Sequence, residues 1–302
     1  MRAMTRRGIA SRSAAYQAIW QTVWQTALSA SKGVVRTLLA LMFPPACEFC
    51  GESLAWDSGR SELCDGCRDE LLADRSVAHG CRAMAVRSPC PRCALPWRRT
   101  SGGRCHYCQR HGYRFDATLA LGAYEGRLRR AVIRMKRHAE YPLTAAVGRM
   151  LGQRLRVEWA DDLPDVVVPL PKHWWKRLRR GTNLAELLAE CVGRELGRPV
   201  VRGGLRCRRM TRKQSLLTME ERRRNAAGSL ALAGRRDWAG RDVLVVDDIM
   251  TTGATASEAA RVLKQAGARR VRVAVVARAL PGAPSTRPLP NVRPGPPLGP
   301  PS

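Results

Sequence analysis

The run from Val243 to Thr255 constrains the fold of this chain more than any other stretch of its sequence. Its first four residues, Val243–Val246, are apolar and mostly β-branched, which predicts a strand buried on both faces, as in a parallel sheet. Two carboxylates, Asp247 and Asp248, follow at the C-terminal end of this strand, and a loop of small residues comes next. This order indicates an α/β fold with a ligand site at that edge of the sheet.

The segment after the strand predicts a phosphate site. A helix is expected from about Ala256 to Ala266, stopping at Gly267. Free N–H groups at helix N-termini bind phosphate, and neighbouring acids suit a sugar, so Asp247 and Asp248 would take ribose hydroxyls. The 5′-phosphate would lie against Thr251, Thr252, Gly253, Ala254 and Thr255.

An ordinary turn with Asp and Thr as capping residues is the alternative interpretation of this segment. We favour it less because such a turn requires neither both acids nor the sequence Thr-Thr-Gly-Ala-Thr. The chain has no Gly-x-x-x-x-Gly-Lys-Ser/Thr and no Gly-x-Gly-x-x-Gly followed by an acid, which excludes the usual nucleoside-triphosphate and dinucleotide sites. The segment resembles the 5-phosphoribosyl-1-pyrophosphate (PRPP) motif of the phosphoribosyltransferases.

Four Cys-x2-Cys pairs lie between residues 47 and 108. Each pair can direct two thiolates at one tetrahedral metal, and a second pair completes the shell. The predicted sites are Cys47, Cys50, Cys64 and Cys67, and then Cys90, Cys93, Cys105 and Cys108. An interleaved pairing, first pair with third, stays open, and a redox role is less favoured because four copies exceed what redox chemistry needs. The sequence therefore predicts two structural Zn²⁺ sites.

Net charge and cysteine usage narrow the expected partners and the expected cellular compartment. The chain has 53 basic and 25 acidic residues in 302, a net charge of +28, which indicates polyanionic partners or, alternatively, an Arg-rich solvated surface. No segment reaches the roughly 18 apolar residues of a membrane span, and no secretory signal is apparent. Cysteines without secretion favour metal over disulfides, so we expect a reducing cytoplasm.

Four regions are predicted. Residues 1–43 form a basic amphipathic extension, residues 44–112 a double zinc ribbon, residues 113–280 a phosphoribosyltransferase-like domain, and residues 281–302, with nine prolines, a disordered tail. The extension could contact a membrane peripherally. We favour instead a helix packed on the protein's own body, or a non-native extension read from a misplaced start codon.

The third region alternates apolar runs with helical patterns, which is typical of a parallel sheet flanked by helices. Candidate strands are Thr118–Ala123, Asp165–Leu170, Val200–Leu205, Asp242–Val246 and Val271–Ala277. Candidate helices are Gly126–His138, Leu184–Leu196 and Ala256–Ala266. The predicted fold class is thus α/β with a phosphoribosyltransferase-type parallel sheet.

Two basic segments could receive pyrophosphate at the same sheet edge. The first follows the strand Asp165–Leu170, and the second is a long polar stretch of the kind that forms lids. The candidate ligands are Lys176, Arg177, Arg179, Arg180 and Gly181 in the first segment, and Arg212 and Lys213 in the second. A solvated basic loop or helix is the alternative for both.

From about Leu38 to Leu280 the sequence resembles the ComF family, phosphoribosyltransferase-like proteins associated with competence for DNA uptake. The resemblance rests on Phe43–Gly51 with the subsequent cysteine pairs, Tyr124–Lys136, Val168–Pro171, Arg177–Gly181, Asn183, Gln214, Glu221–Asn225 and the run from Val243 to Thr255. The chain has Gly-Thr-Asn-Leu at 181–184, where the family commonly has Gly-Phe-Asn-Gln. This departure bears on turnover more than on PRPP binding.

The resemblance implies PRPP or ribose 5-phosphate binding with Mg²⁺, and phosphoribosyl transfer linked to nucleotide metabolism or DNA uptake. Asp247 and Asp248 would act on the ribose side, and Asp248 would assist proton transfer. The alternative is a non-catalytic PRPP sensor that binds single-stranded DNA and a protein of the competence machinery. Trp97, Trp174 and Trp175 lie among basic residues, as base-stacking sites require, or else pack at a domain junction.

Overall fold

The computed structural model of the chain describes residues 45–54, 62–72, 89–96, 105–137, 140–171, 184–209 and 219–280. The predicted amphipathic extension, the proline-rich tail and both basic segments of the predicted pyrophosphate site lie outside the described residues. The chain divides into two compact units, residues 1–64 and 65–302.

In the first unit, the described residues build a tight turn around a Cys-x2-Cys pair. Ala46 and Ser53 form an antiparallel bridge. The carbonyl of Cys47 accepts the N–H of Gly51 at 2.8 Å, and its own N–H donates to Glu52 at 2.7 Å. Gly51 has φ +81°, which a residue with a side chain rarely adopts. This turn brings the thiols of the pair to one side.

The second unit alternates strands and helices. Its helices among the described residues are α1 (Asp65–Leu72), α2 (His106–His111), α3 (Gly126–Met135), α4 (Tyr141–Glu158), α5 (Leu184–Leu196), α6 (Met219–Ala226) and α7 (Ala254–Gln265). Its strands are β1 (Ala117–Ala123), β2 (Val166–Pro169), β3 (Leu205–Cys207), β4 (Leu230–Leu232), β5 (Asp242–Met250) and β6 (Arg270–Arg278).

Four strands form a parallel sheet in the order β1-β6-β5-β2. Its two central strands are covered on both faces, and Val243–Val246 is fully buried. One face packs against α7 and against the segment that carries the second group of cysteines. Helix α5 packs on β2 and β5, and α4 packs on α5. The predicted parallel α/β sheet is therefore confirmed.

Two strand predictions need correction. The predicted strand Val200–Leu205 is not continuous: Val200 makes an isolated bridge, and Leu205 begins β3, which pairs antiparallel with β4. Gly203, at φ +66°, turns the chain between them. The predicted strand Asp242–Val246 instead continues to Met250, because its outer half keeps pairing with β6, so both candidate carboxylates lie inside the strand.

Helix bounds also differ from the sequence prediction. The predicted helix Ala256–Ala266 begins at Ala254, since Gly253 already adopts the left-handed conformation that precedes its first turn. The helix predicted to reach His138 ends at Met135. Helix α5 has the predicted bounds. Helix α4 was not predicted at all.

Candidate active site and metal centres

The two carboxylates in the C-terminal half of β5 have different surroundings. Asp247 is half-buried, and its Oδ1 accepts the N–H of Asp248 at 2.9 Å. Asp248 is only 6% exposed, and its Oδ2 lies 3.6 Å from Nζ of Lys136. Asp247 is therefore the carboxylate more accessible to a ligand, and Asp248 already has a cation beside it.

Lys136 is a site residue that sequence reasoning did not single out. It caps the C-terminal end of α3, the helix that follows β1. Tyr124, at the start of the same connection, has a pKa raised by burial, with a further contribution from the Asp248 charge. Lys136 belongs to Tyr124–Lys136, one of the segments on which the resemblance to the ComF family rests. Nothing in the local sequence, however, shows that its side chain reaches Asp248.

Local hydrogen bonds shape the predicted phosphate cradle, Thr251–Thr255. Gly253 has φ +75°, and its carbonyl accepts the N–H of Ser257 at 2.8 Å. Thr252 is buried, and its Oγ1 accepts the N–H of Ala254 at 3.3 Å. Thr251 is exposed. The first N–H groups of a helix lack intrahelical partners, so the N-terminus of α7 can receive an anion at this point.

The structure describes the two carboxylates and the segment Thr251–Thr255, but none of the predicted pyrophosphate ligands. Lys176, Arg177, Arg179, Arg180, Gly181, Arg212 and Lys213 lie outside the described residues. The strand before the first basic segment does end at the same edge, because Pro169 is in register with Val246.

The cysteines form two groups with sequential pairing, as predicted. The ligand atoms of Cys47, Cys50, Cys64 and Cys67 all lie within 4.8 Å of one another, and so do those of Cys90, Cys93, Cys105 and Cys108. Sulfur separations of 3.7 Å for Cys90–Cys108 and 3.8 Å for Cys93–Cys105 match the roughly 3.8 Å edge of a tetrahedron with Zn–S bonds of about 2.3 Å. Both groups can hold a metal ion.

Thiolate formation is favoured at one cysteine of each group. Burial alone would raise the pKa of Cys47, but hydrogen bonds from the backbone N–H groups of Cys50, Cys64 and Phe49, together with the Cys50 thiol, lower it to about 7. Hydrogen bonds from the thiols of Cys108 and Cys93 lower the pKa of Cys90. Since thiolates rather than thiols ligate metals, these environments suit a metal centre.

Comparison with known proteins identifies the family to which this chain is related. The phosphoribosyl transferase domain family model matches residues 142–289. Competence protein F of Haemophilus influenzae is 27% identical over 72% of this chain and 96% of its own length. DNA utilization protein YhgH of Salmonella typhimurium is 31% identical over 72% of this chain and 97% of its own length.

Solved structures match a smaller share of the chain. The allosteric regulatory enzyme of purine biosynthesis is 24% identical, with a TM-score of 0.31, and the match covers 44% of this chain and 26% of that one. No helix among the described residues is long and apolar enough to cross a membrane.

The similarity to the competence and DNA utilization proteins extends over nearly their whole length, so the chain belongs to the ComF family of phosphoribosyltransferase-fold proteins.

Proposed function

We propose that the chain binds PRPP or a related ribose phosphate with Mg²⁺ at the carboxyl end of β5, and that it catalyses phosphoribosyl transfer, a glycosyl transfer reaction. The observation that carries this proposal is one continuous segment of chain. Two residues separate Asp248 from the phosphate cradle Thr251–Thr255, whose last two residues begin helix α7. Sugar and phosphate recognition thereby occur on adjacent residues.

The two carboxylates would have different roles: Asp247 in binding and Asp248 in proton transfer. Asp247 is accessible, so it would accept ribose hydroxyls or metal-bound water. Mg²⁺, when bound, would neutralise pyrophosphate charge; hard carboxylate oxygens are the donors it prefers. Asp248, held next to Lys136, would assist proton transfer at the acceptor. Positioning and charge, rather than a covalent nucleophile, would lower the barrier.

The two cysteine groups would hold structural Zn²⁺. Each offers four sulfur donors, so no ligand position remains for a substrate. Metal binding of this type contributes about 10 kcal/mol to folding in small modules.

Calorimetry with PRPP and Mg²⁺ tests the site. We expect saturable binding that Asp247→Asn weakens by about tenfold or more, the loss expected when charge-assisted hydrogen bonds of about 1.5–3 kcal/mol are removed. Asp161→Asn, at an exposed acid outside the site, is the matched control and should bind normally. Absence of binding by the unmodified protein, or unchanged binding by Asp247→Asn, would overturn the assignment. Pyrophosphate release with a panel of bases then tests turnover.

A second candidate is a PRPP sensor that binds single-stranded DNA. It is favoured by α3, where Arg130 is exposed, and by Arg137, which is exposed just beyond the end of this helix. No acidic residue interrupts the run from Gly126 to Arg137. The names of the competence and DNA utilization relatives agree with such a role. DNA binding that falls steeply with salt, together with PRPP binding without pyrophosphate release, would select this candidate over the enzyme.

A further inference from the structure

The buried arginine at the end of β6 joins the second cysteine group to the phosphate cradle. Arg278 is 2% exposed, and burial lowers its pKa. Its Nε donates to the carbonyl of Cys93 at 2.9 Å. Its Nη1 donates to the carbonyls of Met250 at 2.7 Å and Ala279 at 3.2 Å, and also to that of Thr251. One guanidinium thus holds both a candidate metal ligand and the first residue of the cradle.

A second set of contacts connects the same two features. The ring of Tyr113 lies directly over the cradle, because a Cβ added to Gly253 would approach its Cε1 to 2.9 Å. The next residue, Arg114, donates its N–H to Ser257 Oγ at 3.0 Å. Arg92, between two of the cysteines, donates to the carbonyl of Tyr113 at 2.6 Å. The cysteine turn therefore reaches the loop by two independent routes.

A buried guanidinium tolerates little movement of its acceptors. It must keep its hydrogen bonds, since an unpaired buried charge is strongly unfavourable. The position of the Cys93 carbonyl depends in turn on the thiol of the same residue being held in its group. Displacing this carbonyl would have one of two consequences. Arg278 would lose its hydrogen bonds to the carbonyls of Met250 and Thr251, or these carbonyls would move with it.

We propose that Arg278 is a positioning residue through which metal at Cys90, Cys93, Cys105 and Cys108 sets the geometry of the phosphate cradle. The metal would then control ligand affinity as well as folding. The ligand-binding part of this inference rests on the proposed function, whereas the coupling of metal to loop geometry does not.

Amide hydrogen exchange of residues 250–256, without any ligand, tests the coupling directly. We expect Arg278→Gln, and separately removal of metal from the unmodified protein by a chelator, to accelerate exchange of these amides by about tenfold or more. Arg278→Lys keeps the charge but not the forked guanidinium that reaches all four carbonyls, so its exchange should be intermediate.

Arg272→Gln is the matched control. Arg272 lies on the same face of β6, six residues away, is 3% exposed, and donates to the carbonyl of Asp162 at 2.6 Å. It should lower global stability comparably without selective acceleration at residues 250–256. Equal exchange in the two glutamine variants, or a loop unaffected by metal removal, would overturn the proposal.

PRPP calorimetry on the same proteins tests ligand binding separately from the coupling of metal to loop geometry. If the cradle binds PRPP, Arg278→Gln should weaken affinity by about tenfold, while Arg272→Gln binds as the unmodified protein does. If the unmodified protein does not bind PRPP but its loop responds to metal, the proposed function fails and the coupling stands. If Arg278→Gln does not fold, the chelator experiment on the unmodified protein decides the coupling alone.

Discussion

Replacing Gly253 by alanine should disrupt the proposed phosphate cradle, because the added methyl group would meet the ring of Tyr113. This glycine has φ +75°, and its missing side chain leaves room for the Tyr113 ring. The ring cannot easily withdraw, because it is buried and stacks on Phe115 with ring centroids 4.8 Å apart. The added methyl group therefore meets both a strained backbone and a fixed neighbour.

The magnitude follows from these two effects. A left-handed conformation costs about 1–2 kcal/mol for a residue with a Cβ. Relieving a 2.9 Å contact between Cβ and Cε1 is an overpacking problem of about 1–3 kcal/mol. The reduced entropy of the unfolded chain offsets about 0.4–1 kcal/mol. We expect Gly253→Ala to lower the free energy of unfolding by about 2–4 kcal/mol.

Gly234→Ala isolates the backbone effect. Gly234 has φ +74°, almost the same as Gly253, but an added Cβ there would meet no atom within 4 Å. Urea unfolding of the two variants should therefore differ by roughly the overpacking cost, about 1–3 kcal/mol. PRPP affinity should fall in Gly253→Ala and stay unchanged in Gly234→Ala.

A double-mutant cycle with Tyr113→Ala would refute or support this reasoning. Without the ring, the cost of Gly253→Ala should shrink to that of Gly234→Ala. If it stays the same in both backgrounds, or if the two glycine variants are equally destabilised, the contact with the ring is not what makes Gly253 necessary.

Two further predictions concern metal content and pH. Cys105→Ser should reduce bound zinc from about two ions to about one per chain, whereas Cys207→Ser, outside both groups, should leave it unchanged, as metal analysis of the purified proteins can show. A hydrogen bond from Arg270 lowers the pKa of Asp162, so this pair stabilises the fold near neutral pH and its contribution is lost as pH falls below the ordinary value of about 3.9. Because Asp162 is largely exposed, Asp162→Asn should remove less than about 1 kcal/mol of that acid dependence in urea titrations.

The parts of the fold that sequence predicted are those in which local pattern and burial agree. Val243–Val246 has no polar residue and lies in a central strand, and Leu184–Leu196 has a continuous apolar stripe. Helix α4 also has such a stripe, formed by Leu143, Val147, Leu151 and Leu155, but small residues on the rest of its buried face weaken the contrast between its two sides. Gly152 is one of them: a Cβ there would come within 2.5 Å of the Glu195 Cβ. Close helix contact at these small residues thus adds to the apolar stripe in burying α4.

The candidate site was predictable only where its members are neighbours in the chain. The spacing of the cysteines gave their grouping, and one short run gave the acids and the cradle. Lys136 and Arg278 were missed because their roles depend on distant contacts; Arg278 and its acceptor Cys93 are 185 residues apart. In the sequence, Arg278 is simply the polar end of an apolar strand.

The second cysteine group belongs to the same core as the sheet, and this determines how far the effect of a metal bound there would reach. Cys90, Cys93 and Cys105 are each at most 5% exposed and pack with Phe115 against the face of the sheet that includes Val245. A metal held on the surface could be lost with only local consequences. Here, loss of the ligand geometry would disturb side chains that also cover β5, the strand that carries Asp247. Metal binding and ligand binding should therefore respond together to perturbation of this core.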